Sequence, residues 1–92
     1  MRAGFLNCEI VPGTFKDEYG VIITIGNDVQ ATSFVDKANL IFTEGNGRTL
    51  GKLRVMVKEQ VQGGILVYLP AETSTGQRSL IVKPEYLEYQ PG

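Results

Sequence analysis

Gly20-Val21-Ile22-Ile23-Thr24-Ile25, followed at once by Gly26-Asn27-Asp28, decides the fold class. Nearly continuous aliphatic, β-branched residues favour an extended chain. A run without a clear polar face reads as a strand covered on both sides or central in a barrel. Gly26-Asn27-Asp28 is a tight hairpin signal, because Gly and Asn tolerate positive φ. The chain nearly repeats itself at Gly64-Ile65-Leu66-Val67-Tyr68-Leu69. The segments that follow also echo each other: Phe34-Val35-Asp36-Lys37-Ala38-Asn39-Leu40-Ile41-Phe42 against Ile81-Val82-Lys83-Pro84-Glu85-Tyr86-Leu87-Glu88-Tyr89. Gly20/Gly64, Val35/Val82 and Leu40/Leu87 are identical in this alignment, with three extra residues placed in the second hairpin loop. Each half reads as strand, polar turn, strand, short polar step and closing apolar residues. A duplication and generic strand-turn-strand patterning both accommodate this.

Outward from these runs, Phe5–Val11 reads as a first strand with Leu6, Cys8 and Ile10 on one face, ended by Pro12-Gly13. Lys16-Asp17-Glu18 is a solvated tip. Val29–Val35 returns from the hairpin, Asp36-Lys37-Ala38-Asn39 fits a single 3₁₀ turn, and Leu40-Ile41-Phe42 is a short strand. Lys52–Lys58 alternates, with Leu53, Val55 and Val57 facing one way and Lys52, Arg54, Met56 and Lys58 the other. Gln62-Gly63-Gly64 is a turn, Pro70 stops the next strand, and Thr73-Ser74-Thr75-Gly76 is a loop tip. Arg78–Val82, Lys83-Pro84-Glu85-Tyr86 and Leu87-Glu88-Tyr89 are a strand, a step and a closing strand. No stretch has sustained helical periodicity. The expected fold is all-β: a small SH3-like barrel, or two similar β-meander halves packed together, with at most one or two short 3₁₀ turns. The 92 residues make one β domain, with halves 1–43 and 50–92 joined by a flexible Gly-rich link at 44–49.

Ser79-Leu80-Ile81-Val82-Lys83-Pro84-Glu85-Tyr86-Leu87-Glu88-Tyr89 resembles the last strand, 3₁₀ turn and closing strand of SH3-like barrels, with Pro84, Tyr86 and Leu87 in comparable places. Pro and Tyr stand one residue closer together here than in that family. The resemblance implies a small barrel. Peptide-binding SH3 domains also carry an Ala-Leu-Tyr-Asp-Tyr-like strand and a groove tryptophan, and this chain has neither, which argues against capture of proline-rich peptides.

A net charge of −1 provides no global attraction to nucleic acid or membranes. The charge is uneven, however. Residues 1–46 hold three basic and six acidic side chains, and residues 47–92 hold six and four. Such a dipole favours head-to-tail association. With a single cysteine there is no internal disulfide, and with no signal peptide or long apolar stretch the chain reads as soluble and cytoplasmic.

Histidine is absent, which removes the side chain best suited to proton transfer near neutral pH and the commonest metal ligand. No metal or other cofactor is expected. Cys8 alternates with Leu6 and Ile10 and reads as a buried structural thiol. Asp17-Glu18 reads as solvated rather than cation-binding. Gly45-Asn46-Gly47-Arg48-Thr49-Leu50-Gly51-Lys52 fails as a phosphate loop: Asn46 stands where the first glycine belongs, Leu53 follows the lysine, and a strand follows instead of a helix. Two leads remain. Lys52, Arg54 and Lys58 form a basic stripe on one strand face. Tyr68 and Tyr86 are amphipathic side chains of the kind common at protein interfaces, and they are expected to gather near the C-terminus. These five residues are the candidate binding site.

The expected function is that of a non-catalytic binding or assembly module working through protein–protein contacts, self-association first among them. One alternative is a nucleic-acid-binding barrel using the basic stripe, although no aromatic residues interleave with that stripe as single-strand binding would require. Another is an enzyme with an active site between subunits. Membrane association is not expected.

Overall fold

The structure is a computed structural model that describes residues 1–43 and 49–90. The strands are β1 (Arg2–Pro12), β2 (Glu18–Gly26), β3 (Val29–Asp36), β4 (Leu40–Thr43), β5 (Leu50–Val61), β6 (Gly64–Tyr68), β7 (Ser79–Val82) and β8 (Leu87–Tyr89). Two 3₁₀ turns, Lys37–Asn39 and Pro84–Tyr86, precede β4 and β8. The fold is all-β, a curled half-barrel of six antiparallel strands in the order β3-β2-β1-β5-β6-β7, with β4 added to β5 and β8 added to β1. Residues 44–48 of the proposed Gly-rich link lie outside the described residues. No described helix is long and apolar enough to cross a membrane.

Local chemistry accounts for the elements. On β5, Leu53, Val55 and Val57 are buried while Arg54, Met56 and Lys58 are exposed, as the alternation requires. The β2–β3 hairpin places its positive φ on Asp28 (55°), whereas Asn27 has none; Gly63 supplies it in the β5–β6 turn (92°). The Asp36 carboxylate caps the first 3₁₀ turn by accepting from Ala38 N at 2.8 Å, and Pro84 opens the second with its preset φ.

The strand order is a palindrome, and the register makes it quantitative. β4 meets β5 at Leu40↔Leu53, and β8 meets β1 at Leu87↔Leu6. Leu87 stands 47 positions after Leu40, and Leu53 stands 47 positions after Leu6. Leu6 and Leu53 also face each other across the β1–β5 ladder. A pseudo-two-fold axis therefore passes between Leu6 and Leu53 and relates β1 to β5, β2 to β6, β3 to β7 and β4 to β8.

Two sequence expectations are refined by this arrangement. The halves are not separate meanders in contact. They share one sheet, and each hands its closing strand to the central strand of the other. The echo also runs in a different register. Gly20 pairs with Phe34 and Leu66 pairs with Ile81, so Gly20 corresponds to Leu66, two positions beyond Gly64. A two-residue slip keeps every side chain on its own face, so a period-2 pattern cannot detect it. Val21 thereby matches Val67, and Ile23 matches Leu69; all four are buried. The second half then has one extra residue between these strands instead of three.

The core is a single cluster that includes Leu6, Cys8, Ile10, Val21, Ile23, Val35, Leu53, Val55, Val57, Val67 and Val82. Both halves contribute to it. The buried Ser33 Oγ donates to the Glu72 carbonyl at 2.7 Å and ties the β6–β7 loop to β3.

Candidate functional site

β4 and β6 share one edge of β5, and β8 and β2 share the equivalent edge of β1. Each split leaves a fork. On β1 the pairing passes from Leu6 to Cys8, so only Asn7 lies in the fork. On β5 it passes from Leu53 to Met56, so Arg54 and Val55 both do. The cause lies in β6. Ile23 pairs with Cys8, but its counterpart Leu69 turns away from β5. Leu69 N donates to the Arg78 carbonyl at 2.9 Å, and its carbonyl accepts from Arg78 Nε at 2.8 Å. Pro70 has no N–H to continue the ladder, and its carbonyl accepts from Arg78 Nη2 at 3.1 Å. The fork on β5 opens into a cleft of about 540 Å³; a second depression, of about 380 Å³, lies across β3, β2, β1, β5 and β4.

The same axis shows how the two differ chemically. Asn7, Cys8, Glu9, Ile22 and Thr24 line the second depression together with Gln30, Thr43, Leu50 and Gly51; Arg54, Val55, Met56, Tyr68 and Pro70, at the positions that correspond to the first five, line the cleft on β5. Buried Val55 and Leu69 form an apolar floor. Asn39, at the end of the first 3₁₀ turn, and Arg78 complete the lining. Arg54 is exposed and has no hydrogen-bond or ion-pair partner among the described residues. Among the described residues Arg78 bonds only to uncharged carbonyls, which hold its guanidinium in position without an ion-pair partner. Lys58 Nζ sits over the Tyr68 ring, 5.5 Å from its centroid. Tyr68 first, and then Glu59, push the Lys58 pKa up from its ordinary value. The cleft thus presents two guanidinium groups against an apolar floor and an aromatic wall. This is a donor set for an anionic group carried on an apolar body.

Of the five residues singled out from the sequence, the structure brings Arg54 and Tyr68 into this cleft and places Lys58 against the outer side of Tyr68. Lys52 departs from the stripe and pairs with Glu88 at 2.6 Å. Tyr86 lines a different depression, beside Asn27, Asp28 and Gln30, and its hydroxyl donates to Asn27 Oδ1 at 2.9 Å. Tyr68 and Tyr86 therefore do not gather. Arg78 and Asn39 are cleft residues that strand patterning missed. The only available signal was the Pro70 strand stop, which leaves carbonyls for a nearby donor to satisfy.

Cys8 stands where the other half has Val55, and it is buried. Burial pushes its thiol from the usual value near 9 up to about 11. Below pH 9 the thiol is neutral in both folded and unfolded chains and contributes no pH dependence. Between pH 9 and 11 the unfolded chain loses the proton and the folded chain keeps it, so stability falls as pH rises. Cys8→Val is expected to remove about 1–2 kcal/mol of the stability lost between pH 8 and 11. Urea midpoints of both proteins at the two pH values check this, and equal losses would refute it.

Among the described residues, no three His, Cys, Asp or Glu side chains are grouped to hold a metal ion. Comparison with protein-family models, curated proteins and solved structures finds no match to this chain.

Proposed function

We propose that this protein is a non-catalytic binding module that works through protein–protein contact, and that its working surface is the Arg54–Arg78 cleft, which takes an acidic segment of a protein carrying an apolar or aromatic side chain. The observation that supports this reading is the contrast between this cleft and the corresponding positions of the other half. The cleft carries Arg54 without a carboxylate partner among the described residues, a fixed Arg78, and Tyr68 and Met56 on its walls. A small concave site with an apolar floor suits one or two side chains. A nucleic-acid backbone asks instead for a continuous basic track, and the Lys52–Glu88 ion pair interrupts the stripe that would provide one.

The test is a titration of a fluorescein-labelled peptide of alternating Glu and Phe, followed by anisotropy at low and at physiological salt. Arg54→Gln is the informative variant, because Arg54 is exposed and its side chain has no hydrogen-bond or ion-pair partner among the described residues. Binding is expected to weaken about tenfold in this variant, the worth of a charge-assisted hydrogen bond, and to weaken with added salt. Equal binding by both proteins would defeat the reading. Tighter binding of single-stranded DNA than of the peptide would move it to the nucleic-acid alternative.

A further inference from the structure

The chain itself carries a segment with the chemistry the cleft requires. Phe15 is 71% exposed at the tip of the β1–β2 turn, the most exposed aromatic residue of the chain. Asp17, two residues on, is exposed, and its side chain has no partner among the described residues. The turn that presents them is held by its backbone. Glu18 N donates to the Phe15 carbonyl at 3.2 Å, Gly13 N to the Glu18 carbonyl at 3.1 Å, and Lys37 N to the Asp17 carbonyl at 2.8 Å. Thr14 N also donates to Glu18 Oε1 at 3.2 Å. Asp17 has φ 63°, a conformation its short side chain tolerates and which directs the chain sharply through the tip. An exposed aromatic on a preorganised turn loses little entropy on docking, which is the usual character of an interface anchor.

Position and charge agree with this pairing. The Asp17–Lys37 bond sets the tip beside the start of the first 3₁₀ turn, and Asn39 at the end of that turn lines the cleft. Tip and cleft therefore flank the same 3₁₀ turn. A two-fold-related copy can place each tip in the other's cleft, doubling the contact in a closed pair. The tip belongs to the half with net charge −3 and the cleft to the half with net charge +2. From these observations we infer that the occupant of the cleft is a second copy of this chain: Phe15 enters between Tyr68, Met56 and Pro70, and the Asp17 carboxylate meets the Arg54 and Arg78 guanidinium groups. This inference rests on the reading of the cleft as a protein-contact site.

The experiment is light scattering coupled to size exclusion over a concentration series up to the high micromolar range, since a contact of this size is weak. The wild type is expected to reach twice its 10.1 kDa monomer mass. Arg54→Glu and Asp17→Arg are each expected to remain monomeric. The double variant, in which Arg at 17 meets Glu at 54, is expected to dimerise again. Phe15→Ser, which leaves the turn backbone unchanged, is also expected to be monomeric and guards against misfolding of Asp17→Arg. A monomeric wild type overturns the inference, as do single variants that still dimerise. If the wild type is monomeric while Arg54 still governs binding of the Glu/Phe peptide, the cleft reading stands and only the second copy is wrong. If Arg54 has no effect in either assay, both fall.

Discussion

Gly51→Ala is expected to destabilise the protein by about 3 kcal/mol, and Gly51→Val to prevent folding altogether. Gly51 lies on β5 where β4 crosses closest. A Cβ there would overlap the Ile41 carbonyl oxygen and sit 2.5 Å from Ile10 Cδ1. The Ile41 carbonyl belongs to the β4 ladder and cannot retreat without breaking the Phe42↔Gly51 register. The equivalent position supplies an internal control. Gly4 stands 47 positions earlier, and its closest contacts are the matching ones: Val57 Cγ2 at 3.0 Å and the Glu88 carbonyl at 3.2 Å, with Leu87 Cδ1 at 3.0 Å. Two of these are side-chain ends that can yield, so Gly4→Ala is expected to cost about 1 kcal/mol. Urea denaturation of both variants provides the comparison. A Gly51→Ala protein as stable as Gly4→Ala would mean that β4 is not seated against β5 as described.

Leu53→Ala is expected to cost about 3 kcal/mol, and Leu6→Ala a similar amount. Both side chains are fully buried, and they pair across the pseudo-two-fold axis. Leu53 also meets Leu40 of the closing strand, as Leu6 meets Leu87. Truncating either one opens a cavity where both halves and both exchanged strands converge. Because the two sites touch, the double variant is expected to depart from the sum of the single costs. Equal and additive small losses, below about 1 kcal/mol each, would show that the axis is not the centre of the core.

Much of this architecture was legible in the chain. Gly20–Ile25, the Lys52–Lys58 alternation and the Pro84-Glu85-Tyr86 step each carry a strong local signal, and each became the element expected. The correspondence of the halves was legible as a plan but not in register, because a pattern of period two is indifferent to a slip of two residues. The exchange of β4 and β8 was invisible, since strand propensity does not name a partner. The cleft was half legible. Arg54 follows from alternation on β5, and Tyr68 from its place in β6. Arg78 depends on a carbonyl left unpaired by Pro70 eight residues earlier, and Asn39 on the path of a short 3₁₀ turn. Lys52 looked equivalent to Arg54 until Glu88, from the far end of the chain, was brought beside it.

Backbone symmetry makes two forks. The residues at corresponding positions around them differ, and the difference is concentrated in Arg54, Met56, Tyr68 and Pro70 against Asn7, Glu9, Ile22 and Thr24.

The most direct measurement is a nitrogen-15 amide spectrum of the protein titrated with the Glu/Phe peptide, at a protein concentration low enough to keep the chain monomeric. Shifts concentrated at Asn39, Arg54–Met56, Tyr68–Leu69 and Arg78, with Asn7–Glu9 and Ile22–Thr24 unmoved, are the expected result. Shifts of equal size at both sets of residues, or confined to Asn7–Glu9 and Ile22–Thr24, would contradict the account.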